Sequence, residues 1–424
     1  MRAHEERPPR YPWWQLVLLG IVAAGEAAVW PIRRMWSSRE PLDAYGLAHF
    51  ASAAGDTLLA IALADSVFFS LPVDQAADKV AAYLGLTMLP LAVAGPALVP
   101  LLDRAGPRRA ISFVAALGRC AIAVYAAPRL GTFTLFPAAL GLLVFSKVHA
   151  ITKNGLTMAY ASPGDGLMRA NARLGRIAVG GALWAFPFGF LFLKIWGSAG
   201  PMYLASVVFL AGALLNLRLP HPRMSAEPGE QVGALGRIGA LTGAALGAGG
   251  MRAASGFLLF LLAFALRREG QPTWWFGVLA AAGVAGSFLA DLLAPRLPRT
   301  IQEELIVIGC VLAAGVGALL AFEIFGLPVL ALFAVTAGAT TEFGRLAFQS
   351  LMQRLAPEGA LGRVFVRYEI VFQLAWVGGA FLPAVLPISF KGGILVLAAF
   401  YLSLGGIYFW RRGRSLRAVP AGDA

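Results

Sequence analysis

The stretch LLFLLAFAL, residues 258–266, has an apolar side chain at every position. A strand of a transmembrane barrel would instead alternate apolar and polar residues over about ten positions. The stretch therefore predicts a helix. It lies in a longer apolar segment, residues 238–266, which is long enough to cross the roughly 30 Å hydrocarbon core of a bilayer.

The composition of the whole chain agrees with that segment. The 424 residues are 58% hydrophobic and 13% charged, with a mean hydropathy of +0.72, whereas soluble domains carry roughly a quarter charged residues. Twelve segments are apolar and long enough to be membrane-spanning helices. They are residues 45–70, 79–102, 109–127, 131–152, 174–194, 201–219, 238–266, 273–294, 304–325, 327–351, 369–388 and 392–410.

The net charge of +13 is explained by the orientation of the chain in the membrane. With both termini in the cytoplasm, most Lys and Arg residues fall in cytoplasmic segments, as the positive-inside rule requires. We therefore expect a multi-pass protein of the inner or plasma membrane, surrounded by lipid, and no nucleic-acid partner.

A further apolar segment, residues 13–30, follows basic residues in the manner of a signal peptide. Its removal would leave Arg33 and Arg34 ahead of the first span, which still favours a cytoplasmic start. We expect an interfacial helix here, with a thirteenth span as the alternative.

The sequence also contains an internal repeat. PGDGLMRANAR, residues 163–173, aligns with PEGALGRVFVR, residues 357–367, and residues 95–109 align with residues 286–299. Repeats of this kind are typical of transporters built from two related bundles, with a site at their interface.

The repeat and one polar, Pro- and Gly-bearing segment predict the domain organisation. The predicted parts are an N-terminal cytoplasmic segment with the interfacial helix (1–44), a six-helix bundle (45–219), a cytoplasmic linker (220–237), a second six-helix bundle (238–410) and a basic cytoplasmic tail (411–424).

Three motifs give the chain a family resemblance. LLDRAGPRR (101–109) resembles the signature loop after the second span of the major facilitator superfamily. SAAGDTLLAIAL (52–63) and GLMRANARL (166–174) resemble the first span and the start of the fifth span in its drug and siderophore exporter branch. The residues that carry the loop motif are Gly95, Asp103, Arg104, Gly106, Arg108 and Arg109, and those of the third motif are Arg169, Asn171 and Arg173.

The resemblance implies an all-α membrane protein of twelve helices in two pseudo-symmetric bundles. It also implies secondary transport by rocker-switch alternating access. In the loop, the Asp103 carboxylate can accept charge-assisted hydrogen bonds, and Gly106 permits a tight turn. We expect the loop to latch the two halves in the outward-facing state. The alternative is a positive-inside anchor with a helix-end acid.

Ionisable residues within spans are candidates for function, because they are costly in hydrocarbon unless paired or hydrated. Asp56, near the middle of the first span, is the candidate for proton coupling. The alternative is a packing carboxyl group bonded to an Arg or a hydroxyl. Possible counter-charges are Arg119, Lys147 and Arg252.

Other polar residues of the spans have expected roles too. Glu342 and Arg345, three residues apart, share a helix face and can neutralise each other. We expect His149 to be a surface or packing residue, and Asp291 and Glu323 to reach water near span ends.

Aromatic and glycine residues mark two further features. Trp184 and Trp376, in the fifth and eleventh spans, are candidates for a cavity that binds a lipophilic substrate, with lipid contact or helix packing as the alternative. We expect close helix approach at two glycine pairs. These are Gly180 and Gly181, and Gly378 and Gly379.

No phosphate loop, zinc spacing or nucleophile elbow stands out, so we expect neither enzymatic activity nor a metal or cofactor. The leading hypothesis is a monomeric exporter of small amphipathic, drug-like or siderophore-like compounds, with protons as the candidate coupling ion. The alternatives are an importer of a small organic solute and a non-transporting membrane sensor or assembly protein.

Overall fold

The computed structural model describes most of the chain. The described residues are 33–63, 108–130, 132, 134–161, 166–221, 234–270, 272–298, 300–355, 361–386 and 388–417. The interfacial helix expected at 13–30 and the second span expected at 79–102 lie outside them.

The described ranges contain eleven long helices and no strand, which confirms the predicted all-α class. The helices are α1 (Pro41–Leu63), α2 (Arg108–Ala126), α3 (Leu135–Tyr160), α4 (Leu167–Trp196), α5 (Ala199–Leu217), α6 (Ala234–Arg268), α7 (Thr273–Leu293), α8 (Glu303–Glu323), α9 (Leu327–Leu355), α10 (Leu361–Val385) and α11 (Phe390–Arg417).

Ten of these described helices are long and apolar enough to cross a membrane. The other is α3, which carries Lys147, His149, Lys153 and Asn154 in its second half. These polar residues lower its mean hydropathy, and several of them contact other helices, as described below.

Several helices extend beyond the predicted spans at one end. Helix α3 continues to Tyr160, α4 begins at Leu167, and α10 begins at Leu361. A hydropathy criterion ends a span where polar residues begin, whereas a helix continues as long as its backbone hydrogen bonds do. Helix α11 likewise continues to Arg417, into residues expected to form the tail.

The helix contacts repeat between two groups, α1–α5 and α6–α11. Helix α1 packs on α4 as α6 packs on α10, α2 packs on α5 as α8 packs on α11, and α2 packs on α3 as α8 packs on α9. We call the two groups the first and second bundles.

Glycines allow the closest of these approaches. A Cβ atom on Gly181 would lie 2.6 Å from the Phe50 carbonyl oxygen of α1, and one on Gly379 would lie 1.9 Å from the Ala253 carbonyl oxygen of α6. Their neighbours differ, because Gly180 has its nearest contact at 3.9 Å and Gly378 has none within 4 Å. One glycine of each predicted pair therefore sets the helix packing.

The two bundles contact each other mainly through α3 and α4 of the first bundle and α7, α9 and α10 of the second. The contacting ends are the C-terminal ends of α3, α7 and α9 and the N-terminal end of α4. We call this the basic end of the molecule. Its described arginines include Arg108, Arg109, Arg169, Arg173, Arg176, Arg296 and Arg354.

Candidate functional site

An amide bridge joins the bundles at the basic end. The Asn171 side-chain amide of α4 donates a 2.8 Å hydrogen bond to Gln353 Oε1 of α9. The Gln353 amide in turn donates a 3.1 Å bond to the Asn154 carbonyl oxygen of α3. Asn171 and Gln353 are both buried, so a single residue of the second bundle binds two helices of the first.

Asp291 forms a second contact between the bundles. Arg176 of α4 donates a hydrogen bond to the Asp291 backbone oxygen, and a Cβ atom on Gly175 would lie 2.5 Å from the Asp291 carboxylate oxygens. Asp291 is only 3% exposed. The expectation that it reaches water is therefore wrong, because α4 covers this end of α7. Glu323, by contrast, is exposed.

Apolar side chains complete the contact at this end. Ala172 of α4, Leu346 of α9 and Ala294, which follows α7, form one buried cluster. Ile111 of α2 and Val148 of α3 also join the core of the second bundle. The basic end is thus closed by both polar and apolar contacts.

An ion pair joins the bundles deeper in the membrane portion. Lys147 Nζ of α3 lies 3.0 Å from Glu369 Oε1 of α10, and the two side chains are 26% and 18% exposed. Lys147 is seven residues from Asn154, which is about 10 Å along a helix. The interface therefore continues as charged groups away from the basic end.

In the first bundle, Asp56 pairs with Arg119, one of its predicted counter-charges. Arg119 Nη1 lies 3.1 Å from Asp56 Oδ1 and donates a 2.9 Å bond to Ser52 Oγ. The guanidinium also lies 4.5 Å from the centre of the Phe209 ring. Arg119 is fully buried, but the Asp56 side chain is 41% exposed, so Asp56 is the accessible member of the pair.

A histidine pair joins α1 and α3. His49 Nδ1 and His149 Nε2 are 3.2 Å apart, the two rings stack with their centres at 5.5 Å, and Tyr45 stacks on both. His149 is buried. Of the two roles expected for it, the structure therefore gives packing and not surface exposure.

A pocket opens in the second bundle beside the Lys147–Glu369 pair. Arg252 and Arg345 line it, together with Glu369. Arg345 pairs with Glu342, as their spacing predicts, and donates a 2.8 Å bond to Gln349. The apolar wall consists of Phe348, Met352, Phe365, Tyr368 and Phe372.

The two tryptophans proposed for the cavity pack within their own bundles. Trp184 contacts Phe50 and Phe188, at ring-centre distances of 6.2 and 4.9 Å. Trp376 contacts Phe260 edge to face at 6.0 Å. Both are partly exposed.

Most of the predicted latch, Gly95, Asp103, Arg104 and Gly106, lies outside the described residues. Its two remaining arginines bind carbonyl oxygens of the first bundle. Arg108 donates a 3.4 Å bond to Gly155, and Arg109 donates to Asn216 at 3.1 Å and to Leu217 at 2.5 Å. Arg109 thereby caps the end of α5, where helix carbonyls lack partners.

The residues of the third motif, 166–174, make different contacts. Asn171 belongs to the amide bridge, whereas Arg173 pairs with Glu40 at 3.0 Å and with Asp43 at 2.5 Å near the start of α1. Arg169 is half-buried.

Sequence reasoning missed Glu369, Gln353 and Asn154. Glu369 marks the edge of a predicted span, and Gln353 and Asn154 lie beyond the predicted spans. One signal was available: Lys147 and Asn154 are seven residues apart, which puts them on the same face of a helix.

No family model matches the sequence. An uncharacterized protein of Mycobacterium leprae (strain TN) is 27% identical over 408 residues, and the match covers 86% of this chain and 70% of that protein. An uncharacterized protein of Mycobacterium tuberculosis (strain ATCC 25618 / H37Rv) is 31% identical over 185 residues. That match covers 40% of this chain and 33% of the relative.

Solved structures resemble the whole fold. The human organic anion transporter MFSD10 (TETRAN) superposes with a TM-score of 0.68 at 14% identity, covering 87% of this chain and 98% of that one. A bacterial homologue of the iron transporter ferroportin, in an outward-facing state, gives 0.66 at 15% identity, covering 88% and 99%.

The FucP transporter in its outward conformation gives a TM-score of 0.63 at 15% identity, covering 88% of this chain and 98% of that one. FucP is described as a major facilitator superfamily transporter. With the repeated helix contacts of its two bundles, this chain has the fold of the major facilitator superfamily transporters.

Proposed function

We propose that the protein is a secondary transporter that moves a small molecule by alternating access. The observation that carries this proposal is the interface between the bundles. Asn171, Gln353 and the Asn154 carbonyl join the bundles at the basic end, while Lys147 and Glu369 meet deeper between them.

The energetics of the interface suit a reversible movement. A hydrogen bond contributes about 0.5–1.5 kcal/mol net, so a layer of a few such bonds can separate without disrupting either bundle. Within each bundle, Gly181 and Gly379 allow backbone-to-backbone contact. Rigid bundles joined by a breakable interface are what a rocking motion requires.

The positive-inside rule assigns the basic end to the cytoplasm. In that orientation the protein is closed on the cytoplasmic side and its termini are cytoplasmic. The outward conformation of FucP and the outward-facing state of the ferroportin homologue agree with this orientation. We propose a monomer in the inner or plasma membrane, with the 101–109 loop, including Asp103, as a cytoplasmic latch.

The direction and coupling of transport are the finer part of the proposal. We propose export of amphipathic compounds, with Asp56 as the proton-binding group. Its accessible carboxylate holds the buried Arg119, so protonation of Asp56 would release the guanidinium and change the contacts of α2. Proton uptake is then linked to helix movement.

Transport is tested with the purified full-length protein in proteoliposomes. Flux of a panel of amphipathic cations, anions and neutral compounds is measured under an imposed pH gradient. The two controls are protein-free liposomes and proteoliposomes treated with an ionophore that abolishes the gradient. The proposal predicts flux of at least one compound, which disappears in both controls. Flux of no compound, together with specific binding of a partner protein, would favour the sensor or assembly role instead.

A further inference from the structure

We propose that the second-bundle pocket binds an amphipathic organic anion, with the acidic group of the ligand on Arg252 and its apolar body on the aromatic wall. The inference rests on the proposed function and names the class of substrate.

The first argument is the pairing of charges. Arg119 has Asp56, Lys147 has Glu369, and Arg345 has Glu342. Three of the four cations predicted within the spans therefore have a carboxylate partner. The fourth, Arg252, lines the pocket, and no carboxylate among the described residues lies within ion-pair distance of its guanidinium.

The second argument is electrostatic. Glu369 interacts electrostatically with Arg252 but is bonded to Lys147 at 3.0 Å. Lys153 adds another positive charge close to Arg345 and Glu369. A guanidinium without a counter-ion at membrane depth is costly, so an acidic ligand would supply the counter-charge that no described carboxylate places within ion-pair distance of Arg252. Arginine suits this role because its planar fork binds a carboxylate through two parallel hydrogen bonds.

The third argument is the shape of the wall. Phe348 contacts Tyr368 and Phe372 edge to face, with ring centres at 5.2 and 4.9 Å. Phe365 and Met352 extend this apolar surface. The partly exposed Tyr368 ring lines the pocket together with Arg252, so an aromatic body can pack on that ring while its acid reaches Arg252.

The test measures binding and not flux. The full-length protein in nanodiscs is titrated by calorimetry with three matched probes: 2-naphthoate, 2-naphthamide and 2-naphthylmethylammonium. Their apolar bodies are alike and only the charge differs. We expect 2-naphthoate to bind about tenfold more tightly than the other two, which is the scale of one charge-assisted hydrogen-bonded contact.

Variants attribute the preference to Arg252. Arg252→Gln should abolish the preference for 2-naphthoate, and Arg252→Lys should keep part of it. The matched control is Arg129→Gln, because Arg129 lies over the Tyr125 ring at the opposite end of the first bundle. That variant should bind as the wild type does. If Arg252→Gln does not remain monodisperse, Arg252→Lys is used for the test instead. Loss of the bidentate contact should then reduce the preference for 2-naphthoate about threefold or more.

Equal binding of the acid and the amide by the wild type would overturn the inference, as would an undiminished preference in Arg252→Gln or in a folded Arg252→Lys. The result is separable from the proposed function. Arg252-dependent binding without flux of any compound would support this site and contradict transport. Flux of cations or neutral compounds, with no binding of 2-naphthoate, would support transport and overturn this site.

Discussion

Asn171 and Gln353 share a 2.8 Å hydrogen bond in the protein interior, although they belong to different bundles. Gln353 also binds the Asn154 carbonyl, so its side chain connects three helices. The bond lies at the end of the molecule where the apolar cluster of Ala172, Ala294 and Leu346 closes the interface. Opening of this end must break it.

The first prediction concerns this closure. Gln353→Ala leaves the buried Asn171 amide without its acceptor, which costs about 1–3 kcal/mol, so the basic end should open more often. The reporter is Ala172→Cys, in a background with Cys120 and Cys310 replaced by Ala. Labelling by a membrane-impermeant maleimide from the side of the basic end should rise by about fivefold or more.

Asn216→Ala is the matched control for that experiment. Asn216 is also buried, but its side-chain amide binds the Gly212 carbonyl of its own helix. It should leave the labelling rate unchanged. Equal labelling in Gln353→Ala and wild type would contradict the assignment of Gln353 to the closure.

The second prediction concerns the Lys147–Glu369 pair. Lys147→Gln and Glu369→Gln each leave a charge without its partner. Each substitution should therefore destabilise the wild-type protein more than it destabilises the variant that already carries the other substitution. The coupling from a double-mutant cycle should be about 0.5–3 kcal/mol, measured from unfolding in detergent. Additive effects of the two substitutions would show that the pair contributes no specific interaction.

The third prediction concerns proton coupling. Asp56→Asn cannot release a proton, so accumulation driven by a pH gradient should be lost, while exchange of substrate at equal concentrations continues. Glu323→Gln is the control, because Glu323 is an exposed acid at the end of α8. Gradient-driven accumulation by Asp56→Asn at the wild-type rate would remove Asp56 from the coupling mechanism.

The fourth prediction separates two adjacent glycines. Gly379→Ala would put a methyl group 1.9 Å from the Ala253 carbonyl oxygen and should cost about 1–3 kcal/mol. Gly378→Ala meets no atom within 4 Å and should be neutral or stabilise the helix by about 0.5–1 kcal/mol. Thermal unfolding in detergent compares the two. A similar loss of stability in both variants would contradict the packing of α10 on α6.

The sequence predicts the features that depend on local spacing or on hydropathy. The helices follow from runs such as residues 258–266, and the Glu342–Arg345 pair follows from its spacing of three residues. The candidate counter-charges for Asp56 could be named, but only the fold, in which α1 and α2 both pack on α5, places Arg119 beside Asp56.

Contacts between bundles could not be predicted in the same way. Lys147 and Glu369, or Asn171 and Gln353, meet because α3 and α4 face α9 and α10, and no local pattern encodes that arrangement. Glu369, Asn171 and Gln353 also lie at or beyond the ends of hydropathy-defined spans, where the helices continue with polar side chains that have protein partners. Hydropathy likewise places Asp291 near a span end, in reach of water, whereas α4 covers it.

Reversible cross-linking of the basic end tests alternating access most directly. Ala172→Cys and Leu346→Cys, in the background without Cys120 and Cys310, are joined by a short bis-methanethiosulfonate, and flux of a substrate from the proteoliposome panel is measured. Each single-cysteine variant serves as a control. The account predicts that cross-linking stops flux and that reduction restores it. Undiminished flux through the fully cross-linked protein would contradict it.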